Sequence, residues 1–502
     1  MRIGRPAVDS SHAAISNGSF VDIMPTSIIL MRIMLFLDRR EEMARLDSLA
    51  RRRDGGLAVV YGRRRVGKTR LLLEWTRKHD GLYTVSDQSS PDIQRRYLAE
   101  AVSARFPGFA DVDYPDWRSL LTRLVHEARA ARWRGPLVLD ELPYLVLSSP
   151  ELPSILQLWM DHEAKEARLV VALAGSSQRM MQGLALSREA PLYGRAREIL
   201  EIAPLDPDYL GDVFGRSDRT ALVEQYASWG GVPRYWELAA EAPGSPKARV
   251  ERLVLDPLGP LHREPDRLLI EETPPALEVR PLLDAIGAGV HRMSEIAARI
   301  GRPATSMARP LDRLVGMGLV RRDVPFGTSE RETRRSLYRM NDPLFRLWFR
   351  VVAPHRGALA MGSRRSRRSL LDRYWSPLVS EAWEELCRRK VPHVRAGSRL
   401  GRFGPWGPAS RWWQGAMAEW DLVAESADGK RLVFGEVKWS ARPMEASAIE
   451  HAVRRLTSKP PPALPPKYVD CEIVRALFVP ELAAGESWKG PLPVVTCSDL
   501  ID

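Results

Sequence analysis

Short apolar runs alternate with longer stretches of helical periodicity between residues 57 and 202. The runs are rich in Val, Leu and Ile, and each is short enough to be a strand buried on both faces. They lie at residues 57–61, 82–86, 136–140, 169–175 and 198–202. Alternation of this kind is typical of a parallel sheet covered by helices on both faces. We therefore predict an α/β core over residues 34–202.

The pattern changes twice beyond this core. Residues 203–275 are helical and interrupted by prolines, which predicts a small helical lid. Residues 276–345 predict helices followed by two strands around a basic loop, an order typical of a winged helix-turn-helix. Ser294 is the candidate N-cap of the second helix, and Pro310 should kink the third. Because the kink counts against DNA reading, a winged helix that only packs between domains is the alternative.

The two ends of the chain are predicted from composition. Residues 346–372 contain the basic run RRSRR and are predicted to be a linker, and residues 373–502 to form a last domain. Residues 1–33 lack periodicity and are predicted to be a disordered extension. The apolar stretch at 27–37 is too short to span a bilayer and is interrupted by Arg32, so we expect no membrane association.

Positive charge adds a candidate partner. The net charge is +12, and residues 276–350 alone hold 14 Arg against 8 Asp and Glu. This balance indicates a polyanion such as nucleic acid, although an arginine-rich codon bias would explain part of it. The three cysteines, Cys387, Cys471 and Cys497, are far apart and form no CxxC motif. We therefore expect neither a disulfide framework nor a zinc site, and a cytoplasmic location.

The segment VVYGRRRVGKTRLL has the spacing GxxxxGK[ST], directly after an apolar strand and at the start of a helix. Its positions are Gly62, Gly67, Lys68 and Thr69. The glycines let backbone amides wrap phosphates, and the helix N-terminus favours their negative charge. The lysine would reach the β and γ phosphates, and the threonine would ligate Mg²⁺. The sequence therefore predicts a nucleotide site.

The strand at 136–140 ends in a pair of carboxylates that suits hydrolysis. Asp140 is predicted to hold the magnesium ion through water, and Glu141 to orient and deprotonate the attacking water. The strand LVVALAG is followed by Ser176 and Ser177, where a polar sensor of the γ-phosphate would lie.

Arg195 and Arg197 follow a loop and are candidates for an arginine finger. A structural salt bridge by either residue is an equally weighted alternative.

A second candidate site lies in AEWDLVAESADGKRLVFGEVKWS, residues 418–440. Taking Asp428 and Gly429 as a type I′ turn predicts a β-hairpin and its register. The facing pairs are then Asp421 with Glu436 and Glu419 with Lys438. Facing carboxylates repel unless a cation lies between them, and a divalent metal ion would remove the conflict. The alternative is a solvated hairpin in which Glu419 and Lys438 form an ordinary ion pair.

Together these motifs resemble the archaeal-type ATPases of the STAND and AAA+ group, from Met34 nearly to the end of the chain. The matching segments are FLDRREEMARL, VVYGRRRVGKTRLL, LVLDELPYL, LAGSSQRMM, PLYGRAREI, WGGVPRYWEL and NDPLFRLWFRVV. The resemblance implies ATP and Mg²⁺ as cofactors. GGVPRYW is similar to the GxP motif of the family's lid, which implies that Pro233 lies near the nucleotide.

Many members of that family end in a domain similar to PD-(D/E)XK nucleases, and EWDLVA…FGEVKW matches its pattern. The resemblance implies that Asp421 and Glu436 hold magnesium and that Lys438 polarises the attacking water or the phosphate. Glu384, in VSEAWEELCRR, would be the supporting acid. Trp420 replaces the usual small aliphatic residue, which brings the metal site into question.

The expected function is ATP binding and hydrolysis that governs a winged helix and a metal-dependent nuclease-like domain acting on DNA. The alternative is an ATP-dependent regulatory switch without nuclease activity, whose winged helix binds DNA or a partner. Nucleotide-dependent homo-oligomers are compatible with either function.

Overall fold

The computed structural model describes residues 36–272, 276–329, 331, 335–485 and 487–501. The predicted N-terminal extension, residues 1–33, lies outside the described residues.

The N-terminal part of the chain alternates strands with helices. In chain order its elements are α1 (Arg40–Ala50), β1 (Gly56–Tyr61), α2 (Lys68–Lys78), β2 (Leu82–Val85), α3 (Pro91–Ser103), α4 (Trp117–Ala130), β3 (Pro136–Asp140), α5 (Leu142–Ser148), α6 (Leu152–Asp161), α7 (Glu163–Glu166), β4 (Val170–Gly175), α8 (Gln178–Met181) and β5 (Ala196–Glu201). The five strands form one parallel sheet in the order β2-β3-β4-β1-β5. The predicted parallel α/β core is therefore confirmed.

Two apolar layers cover this sheet, one on each face. Leu71 and Trp75 of α2 pack in one layer, and Trp117 and Leu124 of α4 pack in the other. Because all strands are parallel, the loops after β1, β3 and β4 emerge at one edge of the sheet. This edge therefore holds the GxxxxGK[ST] segment, residues 62–69, which we call the P-loop. It also holds the Asp140–Glu141 pair and Ser176.

A helical segment follows the core, as the sequence predicts. Its helices are α9 (Leu210–Phe214), α10 (Arg219–Trp229), α11 (Pro233–Glu241), α12 (Pro246–Val250) and α13 (Glu264–Glu272). The next elements are α14 (Ala276–Gly287), α15 (Met293–Arg299), α16 (Ala308–Gly316), β6 (Val320–Asp323) and β7 (Leu337–Met340), and the two strands pair antiparallel.

Two local expectations for this region are wrong. Arg292, not Ser294, occupies the N-cap position of α15. Pro310 lies in the first turn of α16, where a missing backbone N–H breaks no helical hydrogen bond, so the helix is not interrupted there. The predicted argument against DNA reading therefore loses its structural basis.

The structure contradicts a linker at residues 346–372. This region is mostly helical: α17 (Pro343–Leu347) continues into a π-helical turn, and α18 (Arg356–Met361) and the first turns of α19 (Arg364–Lys390) follow. Trp348 and Val352 are fully buried in a core that is continuous from the helical segment to the C-terminal sheet. The charge of RRSRR belongs to the start of a long helix, which composition alone could not distinguish from a linker.

The C-terminal part is a mixed sheet with helices. After α19, its elements are β8 (Ser410–Trp412), β9 (Trp420–Glu425), β10 (Arg431–Val437), α20 (Ala446–Ser458), β11 (Glu472–Phe478), β12 (Val494–Val495) and α21 (Cys497–Leu500). The strand order is β12-β11-β10-β9-β8; β10, β11 and β12 run parallel, and β8 and β9 are antiparallel to their neighbours.

The β9–β10 hairpin has the predicted register, with Glu425 opposite Leu432 and Leu422 opposite Gly435. Its turn, however, is not type I′. The Ser426 N–H donates to the Arg431 carbonyl at 2.9 Å, which closes a four-residue loop, and only Gly429 of the two turn residues has positive φ. Both turns give the same register because each is centred between the same residues.

Buried ion pairs hold α19 against the β6–β7 hairpin and α17. Glu385 contacts Arg321 of β6 at 2.6 Å and also Arg346 of α17, whose side chain is 2% exposed. Glu381, one turn earlier, contacts Arg339 at 3.4 Å and Arg350 at 3.1 Å. Burial raises the pKa of Glu385, but Arg321 and Arg346 outweigh it and lower that pKa to about 2.

We expect Glu385→Gln to lower the free energy of unfolding by about 3–5 kcal/mol, because it leaves buried arginine charge without its carboxylate. Chemical denaturation of both proteins measures the difference. Glu450→Gln is the control, because its pair with Arg454 is exposed and should contribute less than about 1 kcal/mol.

The effect should depend on pH in one direction. The folded pKa lies below the ordinary value of about 4.3, so the stabilisation is present above that pH. It disappears as the pH falls toward 2, and the two proteins should converge there. A difference that is independent of pH would contradict the assignment to the Glu385 charge.

Candidate nucleotide site and candidate metal site

A cleft of about 800 Å³ lies between the P-loop and the helical segment. Five of the predicted site residues line it: Gly67, Lys68, Thr69, Glu141 and Pro233. The cleft therefore gathers residues from three separate parts of the chain.

The P-loop has the backbone that its glycines allow. Gly62 and Gly67 have φ of 149° and 95°, and a Cβ at Gly62 would lie 2.5 Å from the Ile202 carbonyl oxygen. Lys68 is 5% exposed, and its Nζ donates to the carbonyls of Gly62 at 2.8 Å and Arg63 at 3.0 Å. The ammonium group is thus held inside the loop that would wrap the phosphates.

Asp140 is fully buried at the end of β3 and faces the start of α2. Its Oδ2 accepts hydrogen bonds from Thr69 Oγ1 at 2.8 Å and from Tyr83 Oη at 2.7 Å. Burial, then the Asp140 charge, raises the pKa of Tyr83 well above its ordinary value. Hydroxyl and carboxylate oxygens are the ligands that Mg²⁺ prefers, so this pair fits the ion. Tyr83, on neighbouring strand β2, has no motif and was missed in the sequence.

Glu141 sits in the left-handed region, at φ 53° and ψ 41°, immediately before α5. Such a conformation is uncommon for residues other than glycine and is often found at functional sites. Ser176 Oγ donates to its Oε2 at 2.8 Å. The end of β4 therefore orients the carboxylate, while the Glu141 side chain still lines the cleft.

Pro233 begins α11 and lies beside the P-loop. A Cβ built on Gly67 would be 3.7 Å from its Cγ. The helical segment thus forms the second wall of the cleft, as expected of a lid.

Arg195 and Arg197 are not among the described residues that line the cleft. Arg195 forms two hydrogen bonds with Asp161, at 2.8 and 2.7 Å, and Arg197 contacts Asp54 at 2.7 Å. In this single chain both arginines therefore form salt bridges, which is the alternative that the sequence left open.

Sequence reasoning missed the three consecutive arginines of the P-loop. Each pairs with a carboxylate from downstream: Arg63 with Asp342 at 2.6 Å, Arg64 with Glu271 at 2.7 Å, and Arg65 with Glu264 at 2.5 Å. The motif gives no role to these positions, so the run of Arg itself was the only available signal.

The C-terminal candidate residues lie near one another. Burial and then the charges of Glu384 and Glu436 raise the pKa of Asp421 to about 6. Its Oδ2 accepts from the Val437 N–H at 2.9 Å, and its backbone carbonyl accepts from Arg388 at 2.8 Å. Glu384 of α19 and Glu436 of the hairpin therefore lie close enough to Asp421 for their charges to act on it.

The predicted Glu419–Lys438 pair is wrong. Lys438 instead contacts Glu436 at 2.7 Å, while Glu419 lies before the start of β9 and contacts Arg411 at 3.4 Å. Glu436 has a second cationic partner in Lys459, which follows α20.

Trp420 is fully buried against Phe434 and next to Asp421 in the strand, so the two side chains leave opposite faces of the sheet. Within the described part of the chain, no group of three or more His, Cys, Asp or Glu side chains is arranged to hold a metal ion. The donor types at Asp421 fit Mg²⁺, but the acids do not converge into a completed site.

Two family profiles match separate ranges of the chain. Residues 36–234 match the family profile of an ATPase domain predominantly from Archaea. The core around the cleft is therefore P-loop ATPase-like. A second profile, of archaeal and bacterial proteins of unknown function, matches residues 348–450.

The individual proteins that resemble this chain share about a quarter of its residues or fewer. The uncharacterized protein MJECL04 of Methanocaldococcus jannaschii is 26% identical over 408 residues, which are 81% of this chain and 88% of the relative. The Walker-type ATPase PABY2304 of Pyrococcus abyssi is 18% identical with a TM-score of 0.48, over 62% of this chain and 96% of that chain. The ORC2 protein of Aeropyrum pernix is 15% identical with a TM-score of 0.35, over 68% and 94%. Among the helices that the structure describes, none has the length and apolar character needed to cross a membrane.

We expect Lys68→Ala to weaken ATP binding strongly and to abolish turnover, because its ammonium would contact the phosphates that carry most of the nucleotide's charge. Titration with a fluorescent ATP analogue and an ATPase assay measure the two effects. Lys165→Ala removes the same charge from an exposed position and should change neither. Unchanged turnover in the Lys68 variant would contradict the assignment.

Proposed function

We propose that this protein binds and hydrolyses ATP in the cleft, with Mg²⁺ as cofactor. The observation that carries the proposal is the hydrogen bond from Thr69 to Asp140. Thr69 directly follows buried Lys68 in the chain, and Asp140 directly precedes Glu141. These are the groups that nucleotide hydrolysis needs: a phosphate-binding cation, oxygen ligands for a metal ion and a base for water.

Each residue has a separate task. Lys68 and the amides of the P-loop bind the phosphates. Thr69 and Asp140 would hold the ion, which when bound neutralises phosphate charge. Glu141 orients the attacking water and accepts its proton, and the hydrogen bond from Ser176 fixes the carboxylate for this. Pro233 closes the cleft from the lid side.

Glu141→Gln should keep ATP binding but slow turnover by about 10²–10⁴-fold, because it removes a base without changing the shape of the cleft. Binding and single-turnover assays separate the two quantities. Glu151→Gln, at an exposed position after α5, is the charge-matched control. Loss of ATP binding in the Glu141 variant would assign that residue to the fold or to the metal.

We also propose that the C-terminal sheet is a PD-(D/E)XK nuclease-like domain acting on DNA. The position of Asp421 supports this: it lies beside the Val437 backbone on the strand that carries Glu436, and burial, then the charges of Glu384 and Glu436, raise its pKa. A divalent ion bound there would relieve the repulsion between the acids. Asp421, Glu436 and Glu384 would hold the ion, and Lys438 would act on water or phosphate.

Mn²⁺ should raise the unfolding temperature of the nucleotide-free wild-type chain but not of Asp421→Asn or Glu436→Gln, because half of a site coordinates too few oxygens. Lys438→Ala should keep the Mn²⁺ response and lose DNA cleavage. Glu472→Gln, exposed on β11, is the control. An equal response in wild type and Asp421→Asn would favour the regulatory alternative.

The regulatory alternative has support of its own. The elements α14 to β7 have the order of a winged helix, yet the loop that would be its wing is docked on the C-terminal domain. The Phe326 N–H donates to the Arg411 carbonyl at 2.8 Å, and its ring lies 5.4 Å from that of Tyr468. These contacts favour a wing that packs against the C-terminal domain. DNA could still bind near α16, where the side chains of Arg299, Arg302 and Arg309 are exposed. Salt-dependent DNA binding, measured beside cleavage, separates the two functions.

A chain of ion pairs connects the nucleotide cleft to the C-terminal domain, and we propose that it couples nucleotide binding to that domain. Arg63 of the P-loop pairs with Asp342, which caps α17, and Arg346 of α17 contacts Glu385 on α19. Arg195 remains a candidate for contact with a neighbouring subunit in a nucleotide-dependent homo-oligomer.

A further inference from the structure

Arg64 lies in the middle of the P-loop, and its side chain lines the cleft beside Lys68, Thr69 and Glu141. Its Nη2 donates to Tyr144 Oη at 2.6 Å, and Tyr144 is in the first turn of α5, which begins directly after Glu141. Burial lowers the pKa of Arg64, but contact with Tyr144 and the charges of Glu271 and Glu141 raise it overall. The guanidinium is therefore close to the residues that would act on water.

Arg64 also forms an ion pair at the edge of the cleft. Its Nη1 lies 2.7 Å from Oε2 of Glu271, on α13, and that side chain is 42% exposed and lines the same cleft. Because the carboxylate is open to solvent, water can replace it as a partner of the guanidinium, and a pair of this kind typically contributes about 1 kcal/mol or less.

The neighbouring arginines differ from Arg64 in this respect. Arg63 is 9% exposed and pairs with an almost fully buried Asp342, and its guanidinium lies over the Phe345 ring. Arg65 pairs with fully buried Glu264. Among the ion pairs described above for these arginines, the pair of Arg64 is the one with an exposed carboxylate.

We propose that Arg64 contacts the γ-phosphate in the transition state of ATP hydrolysis, and that Glu271 holds it before the nucleotide arrives. This inference rests on the proposed ATPase function. The water oxygen bonds to the γ-phosphorus, and the bond from that phosphorus to the β–γ bridging oxygen breaks. The electron pair leaves with ADP, and the proton of the water passes to Glu141. Arg64 stabilises the negative charge on the phosphoryl and leaving oxygens, in the same chain that binds the nucleotide.

Arg64→Ala in the full chain should lower kcat by about 100-fold or more, while the Kd for ATP changes by no more than about threefold. Arg64→Lys should restore part of kcat, since it keeps the charge but not the fork of donors. Arg77→Ala is the control, because it removes an exposed arginine from the far end of α2.

A second readout does not depend on turnover. ADP with aluminium fluoride imitates the phosphoryl group in transfer, so wild type should bind ADP more tightly when aluminium fluoride is present. Arg64→Ala should lose most of that gain and keep its affinity for ADP alone.

Glu271→Gln separates a catalytic role from a structural one. If Arg64 only made an ion pair, Arg64→Ala and Glu271→Gln would have equal effects on kcat, and that result would overturn the inference. We expect instead that Glu271→Gln raises kcat, because it frees the guanidinium. Should Arg64→Ala fail to fold, Arg64→Lys and Glu271→Gln carry the same comparison.

The wild-type protein distinguishes the two levels of the proposal. Hydrolysis by wild type together with normal kcat in Arg64→Ala overturns the role of Arg64 alone. No hydrolysis by wild type overturns the proposed function and this inference with it.

Discussion

The buried ion pairs between α19 and the arginines around it are the constraint on which the rest of the structure depends. Glu381 and Glu385 are one helical turn apart, so both contact Arg346 of α17, and Glu385 also contacts Arg321 of β6. Opposite charges buried in this way cannot separate without leaving one of them unpaired at a cost of several kcal/mol. The network thus fixes α19 relative to the hairpin and to α17.

A neighbouring face of the same helix packs against β9. Glu384 and Arg388 are again one turn apart, and Arg388 donates to the backbone carbonyl of Asp421 on β9. One helix thereby carries the buried ion pairs on one face and, on the next, Glu384, the acid that we propose as a metal ligand. The placement of Glu384 near Asp421 is a consequence of how the ion pairs orient α19.

The P-loop is joined to this arrangement through α17. Asp342 accepts the Phe345 N–H at 3.0 Å as the helix cap and pairs with Arg63. Displacement of Arg63 must either carry Asp342 with it or leave a buried carboxylate unpaired. The segment NDPLFRLWFRVV therefore connects the nucleotide cleft to the C-terminal sheet, although its sequence shows only a capped apolar helix.

Features that depend on residues close together in the chain could be predicted from the sequence. The five core strands, the P-loop, the positions of Asp140 and Glu141, and the register of the β9–β10 hairpin follow from local periodicity, motif spacing and turn position. Contacts between distant groups could be read only from the folded chain: Arg195 pairs with Asp161 and does not line the cleft, and Lys438 pairs with Glu436 and not with Glu419. The P-loop arginines likewise pair with acids far downstream. The sequence does not indicate which acid a given arginine will pair with, because an arginine can pair with any carboxylate that the fold brings within reach.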